Sequence, residues 1–112
     1  MENHIINIET VIDYIESHLA EKLDLEKVSE AVHYSKYHLH RMFTNTVGMT
    51  IHDYVQRRQL TEAAKLLIFS SKPIIEVAFL CGYESQQAFS MVFKAMYKMP
   101  PAEYRGKRVF YP

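Results

Sequence analysis

Three side chains between residues 37 and 41 have the types and the spacing needed to read the edges of DNA base pairs. Tyr37, His40 and Arg41 fall on the opposite side of a segment from its regularly spaced apolar residues. An arginine can donate two parallel hydrogen bonds to O6 and N7 of guanine in the major groove, and a histidine can donate or accept there. Tyr37 can pack on a thymine methyl group or a sugar while its hydroxyl reaches a phosphate. On an isolated helix such residues are more often simply solvated, so the surrounding elements decide between the two interpretations.

A second set of side chains, between residues 86 and 91, has the same helical spacing. The amide of glutamine matches N6 and N7 of adenine, so Gln86 and Gln87 can read A·T pairs, with Ser90 beside them. Met91 occupies the place that Arg41 has in the first set, and it offers only an apolar contact to a thymine methyl group. We therefore predict weaker, more A·T-tolerant reading by this second set. More of its binding should come from contacts to the DNA backbone.

The two sets belong to a repeat in the chain. The pattern from Leu25 to Tyr54 returns between Ile74 and Tyr104, and the displacement grows from 49 to 50 residues at Glu84. The matching pairs include Val28 and Val77, Tyr34 and Tyr83, Ser35 and Ser85, Leu39 and Phe89, and Phe43 and Phe93. One small helical unit thus occurs twice, and one chain can hold a periodic partner at two points.

Capping residues and apolar spacing predict three helices before residue 49. Asn7, Asp24 and Ser35 can cap them in turn, and Gly48 is placed to end the third. The apolar faces are predicted to be Val11, Ile12, Ile15 and Leu19; Leu25, Val28, Ala31 and Val32; and Leu39, Met42, Phe43 and Val47. The outward face of the third helix is then formed by Lys36, Tyr37, His40, Arg41 and Thr44.

Thr50 and Asp53 resemble a capping box that opens the longest helix, near residues 51–69. Pro73 is predicted in the first turn of a fifth helix, which stops at Gly82.

Ser85 can cap a sixth helix, which Pro100 and Pro101 are predicted to stop before a last helical turn. Each copy is therefore a helix, a short turn and a longer helix capped by serine. This is the helix-turn-helix arrangement, which taken alone is also typical of any pair of packed helices.

The net charge of zero conceals a segregation of charge along the chain. Residues 1–30 carry eight acidic and two basic side chains, a net charge of −6, while the other 82 residues carry eleven basic and five acidic ones, a net charge of +6. Only the later part of the chain is therefore suited to an anionic partner.

The composition predicts one globular domain in the cytoplasm. The chain has 112 residues, which is enough for one modest core. It has no apolar run long enough to span a membrane and no basic and apolar N-terminal regions of a signal peptide. The single cysteine, Cys81, cannot form an internal disulfide and is predicted to be a small core residue.

Metal binding and catalysis are not indicated. His33, His38, His40 and His52 lack a recognised ligand spacing with a cysteine or an acidic partner. The chain shows no glycine-rich phosphate loop, Ser/His/Asp arrangement or paired carboxylates, so we expect neither an enzyme nor a cofactor.

The second copy resembles the signature of the AraC/XylS transcription regulators, and the resemblance extends over residues 8–106. The first copy, together with residues 84–87, looks most like the MarA, SoxS and Rob branch of that family. The residues that carry the signature are Ala64, Leu67, Ile74, Val77, Ala78, Gly82, Tyr83, Ser85, Phe89, Phe93, Lys94, Pro101, Tyr104 and Arg105.

The resemblance implies an all-α domain of about seven helices that binds double-stranded DNA as a monomer through two successive major-groove segments. It places a first helix-turn-helix subdomain at 8–48, a linker helix at 50–70 and a second subdomain at 73–106, within one domain of residues 1–112. The family's base-reading positions match Tyr37, His40, Arg41, Gln86 and Gln87. A linker helix of about 19 residues would span roughly 28 Å, close to the roughly 34 Å between neighbouring groove segments.

Phosphate contacts are expected at the two serine caps and at nearby cations, although each cation could equally be plain surface charge. The set is Ser35, Lys36, Arg57, Arg58, Ser85, Lys94 and Lys98. Lys98 stands where many relatives have glycine.

We expect a transcription regulator, more specifically an activator that also touches RNA polymerase. One alternative is a helical protein-interaction module whose acidic first helix, with Glu9, Asp13 and Glu16, binds a basic partner. A second alternative is the DNA-binding fragment of a larger effector-sensing regulator, because the chain ends in the apolar residues Val109 and Phe110.

Overall fold

The computed structural model describes residues 7–107, so the apolar C-terminal residues discussed above lie outside the described part. Seven α-helices and no strands occur in the described residues, as expected. Their bounds are α1 Ile8–Ser17, α2 Leu25–Val32, α3 Lys36–Val47, α4 Ile51–Phe69, α5 Ile74–Leu80, α6 Gln86–Tyr97 and α7 Pro101–Lys107.

The helices form two compact units. The first unit takes the described residues up to 19 together with 23–56, and the second takes 20–22 together with 57–107. The subdomain and linker bounds given above stay predictions.

The first unit is built around an aliphatic core with one large aromatic ring. Phe43 of α3 is fully buried and meets the edge of the Tyr54 ring, with ring centres 5.6 Å apart. Tyr54 also donates from its hydroxyl to Glu16 at 3.4 Å. The buried core residues are Val11, Ile15, Leu23, Val28, Leu39, Phe43, Ile51 and Val55.

The second unit has a more aromatic core. Phe93 of α6 stacks on Tyr97 at 4.5 Å and meets the edge of Tyr104 at 5.3 Å. Arg105 Nε donates to the carbonyl oxygen of Leu67 at 2.9 Å and so ties α7 to the end of α4. The buried core residues are Leu60, Ala63, Ala64, Leu67, Val77, Ala78, Cys81, Phe89, Phe93 and Tyr104.

The predicted N-caps are confirmed. Asn7, Asp24, Ser35 and Ser85 each accept a hydrogen bond from a backbone N–H in the first turn that follows. Thr50 Oγ1 likewise accepts from the backbone N–H of Asp53 at 3.0 Å and opens α4.

Three predictions about these helices are wrong. Ala31 is exposed, because the short α2 buries only Val28 and Ser29. Pro73 is the N-cap of α5 rather than part of its first turn. The sixth helix ends at Tyr97 because Lys98 turns left-handed, two residues before Pro100.

Four residues that end or closely follow helices have positive φ angles, and they occupy matching places in the two copies. His33 (φ 63°) corresponds to Gly82 (φ 88°), and Gly48 (φ 89°) corresponds to Lys98 (φ 66°). Only glycine adopts this left-handed backbone without steric cost, and it commonly does so at helix C-termini. Each copy thus has one favourable and one strained turn.

No helix within residues 7–107 is both long enough and apolar enough to cross a membrane.

Candidate nucleic-acid interface

The serine cap of α3 leaves the side chains of the first turn exposed. Ser35 Oγ accepts from the backbone N–H of His38 at 3.1 Å, and the backbone of Ser35 itself is extended. Lys36 and Tyr37, which follow directly, are both exposed. A helix start of this kind attracts anions because its unpaired N–H groups and the helix dipole point outward.

The three predicted reading residues of α3 lie on the solvent side of the helix. Tyr37 is 76% exposed, and His40 and Arg41 are exposed as well. The guanidinium carbon of Arg41 lies 5.0 Å from the centre of the Tyr37 ring, so the two side chains form a stacked pair. Their exposure agrees with the sequence analysis, whereas their contact with bases stays a prediction.

Thr44 does not belong to this exposed face, contrary to expectation. Its side chain is half-buried, and its Oγ1 atom is enclosed without a hydrogen-bond partner. The helical period had placed it on the outer side, but it faces the edge of the core.

Asn45, which was not among the predicted site residues, also lies on this exposed side of α3. It is exposed and follows Tyr37 and Arg41 at steps of four along α3. Its spacing from Arg41 was the available signal, and asparagine is suited to adenine as glutamine is. A depression on this side of α3 is lined by Ser35, Tyr37, His38, Arg41, Met42 and Asn45.

The corresponding row of side chains on α6 is less polar at its centre. It consists of Gln86, Gln87, Ser90 and Met91. Ser85 Oγ accepts from the backbone N–H of Ala88 at 3.0 Å, and Gln86 and Gln87 are exposed in the first turn. Ser90 is only half-buried. Met91 is 66% exposed, so an apolar side chain stands in the open where the first copy has its arginine.

The N-terminal ends of α3 and α6 also differ in charge. In the first unit the ammonium of Lys36, on α3 itself, lies 3.8 Å from Glu26. In the second unit the charge next to the helix is negative, since Glu84 immediately precedes the Ser85 cap. A hydrogen bond from Lys22, followed by the charge of that lysine, lowers the pKa of Glu84.

The remaining residues that are predicted to contact phosphate differ in their exposure and in their present hydrogen bonds. Arg57 and Lys94 are exposed. Arg58 is half-buried and donates to Glu62 at 3.1 Å, while Lys98 Nζ donates to the carbonyl oxygen of Ala95 at 3.1 Å. The phosphate contacts of all these cations stay predictions.

Other chemistry has little support in the part of the chain that the structure describes. No group of three or more His, Cys, Asp or Glu side chains there is arranged to hold a metal ion. Burial, and to a lesser extent the charge of Glu62, raises the pKa of the Cys81 thiol to about 12, so this cysteine is a protonated core residue.

Comparison with known proteins agrees with this geometry. Residues 28–107 match a family model described as a helix-turn-helix domain. The chain is 43% identical over 100 residues to the multiple antibiotic resistance protein MarA of Escherichia coli, covering 89% of this chain and 79% of MarA. It is 37% identical over 100 residues to the regulatory protein SoxS of Salmonella typhimurium, covering 89% of this chain and 94% of SoxS.

A longer relative is the HTH-type transcriptional regulator YbfP of Bacillus subtilis, which is 41% identical over 98 residues. The match covers 88% of this chain but only 33% of YbfP, so this chain spans about a third of that protein.

Solved structures show the same fold. The C-terminal domain of AraT, a response regulator from Geobacillus stearothermophilus, has a TM-score of 0.88 at 30% identity, covering 93% of this chain and 87% of that one. The DNA-binding domain of AdpA in complex with a target DNA has a TM-score of 0.84 at 26% identity, covering 89% of this chain and 90% of that one. With the capped helix pairs, the repeated rows of exposed side chains and these relatives in agreement, the chain belongs to the AraC-type family of helix-turn-helix DNA-binding transcription regulators.

Proposed function

We propose that this protein binds an asymmetric DNA site by inserting α3 and α6 into two adjacent major-groove segments. The observation that carries the proposal is the repeated pattern of a serine cap followed by an exposed row of hydrogen-bonding side chains. The AdpA domain, which has the same fold, is solved in complex with a target DNA, and this supports the same kind of partner for this chain.

The first reading helix supplies most of the specificity. Arg41 donates to guanine, His40 bonds to a neighbouring base, and Tyr37 covers a thymine methyl group or a sugar. Asn45 extends the row by one turn towards adenine. The stacked Tyr37 ring keeps the guanidinium of Arg41 on the outer side of α3.

The second reading helix is more permissive. Gln86 and Gln87 bond to adenine, Ser90 lies at the edge of the row, and Met91 packs on a thymine methyl group. Because methionine cannot donate to guanine, preference at this segment is lower and inclined towards A·T pairs. The Ser85 cap and Lys94 contact the phosphates of the DNA backbone and hold α6 in the groove.

At the level of the whole protein we propose a cytoplasmic activator that binds DNA as a monomer and also touches RNA polymerase. Two unequal reading helices in one chain fit an asymmetric site without a second copy of the chain. SoxS, of which this chain covers 94%, is a regulatory protein, and this chain also covers 79% of MarA.

Selection of bound sequences from a random duplex pool tests the proposal. We expect an enriched site with two conserved segments about 10 base pairs apart, the first containing an invariant guanine. Binding to that site should weaken steeply as salt is raised, since phosphate contacts release counterions. Failure to enrich any sequence, together with no salt-dependent binding to duplex DNA, would leave the protein-interaction alternative standing.

A further inference from the structure

Glu84 is the residue by which the second copy of the repeat is longer than the first, and the structure shows what this residue contacts. Its carboxylate accepts a hydrogen bond from Lys22 Nζ at 2.7 Å, although 62 residues separate the two in sequence. Both side chains are mainly exposed, at 74% and 72%. The contact therefore forms at the surface, directly before the Ser85 cap of α6.

The backbone next to Lys22 is anchored by a hydrogen bond from α4. Gln59 of α4 is 6% exposed, and its Nε2 atom donates to the carbonyl oxygen of Glu21 at 3.0 Å. This bond connects residues 20–22 to the part of α4 that belongs to the second unit. Since Glu21 is the neighbour of Lys22, the buried amide of Gln59 restricts the position from which the lysine reaches Glu84.

The negative charge of Glu84, next to the start of α6, opposes the binding of DNA by that helix. The first reading helix begins with Lys36, whose counterpart in the second is the neutral Gln86. At the second helix start the carboxylate of Glu84 directly precedes the cap, where it repels the phosphates that a helix N-terminus otherwise attracts. A paired carboxylate repels them less than an unpaired one does.

We propose that Lys22 is a positioning residue for DNA binding. Its ammonium neutralises the Glu84 carboxylate and keeps it directed towards Lys22, so that phosphate can approach the first turn of α6. The inference rests on the proposed function, because it concerns the second reading helix. Lys22 acts here through Glu84 and not as a phosphate contact of its own.

A double-mutant cycle on the full chain tests the inference, with binding to the selected duplex as the measurement. Lys22→Ala should weaken binding about two- to fivefold at low salt, as expected for one unpaired charge near the phosphates, and the loss should shrink at high salt. Glu84→Gln should bind at least as tightly as the wild type. In the Glu84→Gln background, Lys22→Ala should have no further effect, and Lys22→Arg should preserve wild-type binding.

Lys27→Ala is the matched control, because it removes one positive charge from an exposed position on α2. We expect it to change binding by much less than Lys22→Ala does. Thermal unfolding of every variant separates a loss of binding from a loss of fold.

The outcomes are distinct. If Lys22→Ala weakens binding equally with and without the Glu84 carboxylate, Lys22 contacts phosphate directly and the inference is overturned. It is also overturned if wild type and Lys22→Ala bind alike. A wild-type protein with no duplex binding at all would instead overturn the proposed function, and the inference with it.

Discussion

The guanidinium of Arg41 stacks on the ring of Tyr37, one turn earlier in α3, with 5.0 Å between the guanidinium carbon and the ring centre. Both side chains are exposed, so core packing does not force this contact. Exposed contacts between a cation and an aromatic ring are worth about 0.5–1 kcal/mol. The stacked arginine has fewer rotamers to lose when it bonds to a base, which lowers the entropic cost of binding.

Replacing Arg41 by Ala should cost about 1–3 kcal/mol of DNA-binding free energy and remove the preference for guanine at one position. The reason is the loss of two parallel hydrogen bonds to O6 and N7. Affinities for the selected site and for its three variants at that position measure both effects. Arg57→Ala is the control, since a phosphate contact should weaken binding to all sequences alike. Uniform weakening by Arg41→Ala would show that Arg41 contacts phosphate and would contradict its role in reading guanine.

Replacing Met91 by Arg should create a guanine preference at the second groove segment. The side chain at this position is 66% exposed, so arginine can be placed there without disturbing the core. We expect discrimination of about 1–3 kcal/mol in favour of guanine at a position where the wild type shows little preference. Met91→Leu is the control, because it keeps an apolar side chain and should leave the selected sequence unchanged. A selected site that is identical for Met91→Arg and wild type would contradict the role given to this position.

Replacing Lys98 by Gly should stabilise the fold. Lys98 has a φ angle of 66°, and removing its Cβ relieves a strain of about 1–2 kcal/mol, partly offset by the greater freedom of glycine in the unfolded chain. We expect a net gain of about 0.5–1 kcal/mol in the free energy of unfolding, measured with denaturant. Lys98→Ala should give no such gain, since alanine keeps the strained Cβ.

The converse change tests the same idea in the first unit. Gly48 has a φ angle of 89°, and a Cβ built on it meets no atom within 4 Å. Gly48→Ala should therefore destabilise the fold through backbone strain alone, by about 1 kcal/mol. If both substitutions left the free energy of unfolding unchanged, the left-handed turns would not be strained.

Alkaline pH should destabilise the protein. Burial, with a smaller effect of Glu62, raises the pKa of Cys81 from its ordinary value of 9.0 to about 12. Burial, with a smaller effect of Cys81, also raises the pKa of Tyr83 from 10.0 to about 12. The folded protein keeps these protons where the unfolded chain releases them, so stability is fully present below pH 9 and falls between pH 9 and 12.

Unfolding in denaturant at pH 8 and at pH 10.5 measures this loss. Cys81→Ala should lose less stability than the wild type between the two values, because the alanine has no proton to release. At pH 8 the native thiol should react with a disulfide reagent far more slowly than the unfolded one. Rapid labelling of the native protein at pH 8 would contradict the buried, protonated state of Cys81.

Local signals in the sequence were sufficient for the helices. A serine, an asparagine or an aspartate before an apolar period marks a helix start by a bond that spans only three residues, and this is why Asn7, Asp24, Ser35 and Ser85 were identified correctly. The longest helix was predicted near residues 51–69, and α4 has those bounds.

Features that depend on tertiary packing were not predicted, and neither were backbone angles that the residue type does not indicate. Nothing in its residue type marks Lys98 as left-handed, and the enclosed Oγ1 of Thr44 depends on packing around the end of α3. The contact between Lys22 and Glu84 joins residues that are 62 positions apart, so no local pattern announces it. On α3 the sequence indicated the exposed positions of Tyr37, His40 and Arg41 but not that of Asn45.

The buried amide of Gln59 donates to the carbonyl oxygen of Glu21, and residues 20–22 form part of the second unit. Residues 20–22 belong to the second unit but are synthesised long before residues 57–107, so that unit cannot be completed from its C-terminal chain alone. A fragment that starts at residue 57 would lack part of its own unit. A chimaera that exchanges C-terminal halves between relatives must therefore carry residues 20–22 with the half it transfers.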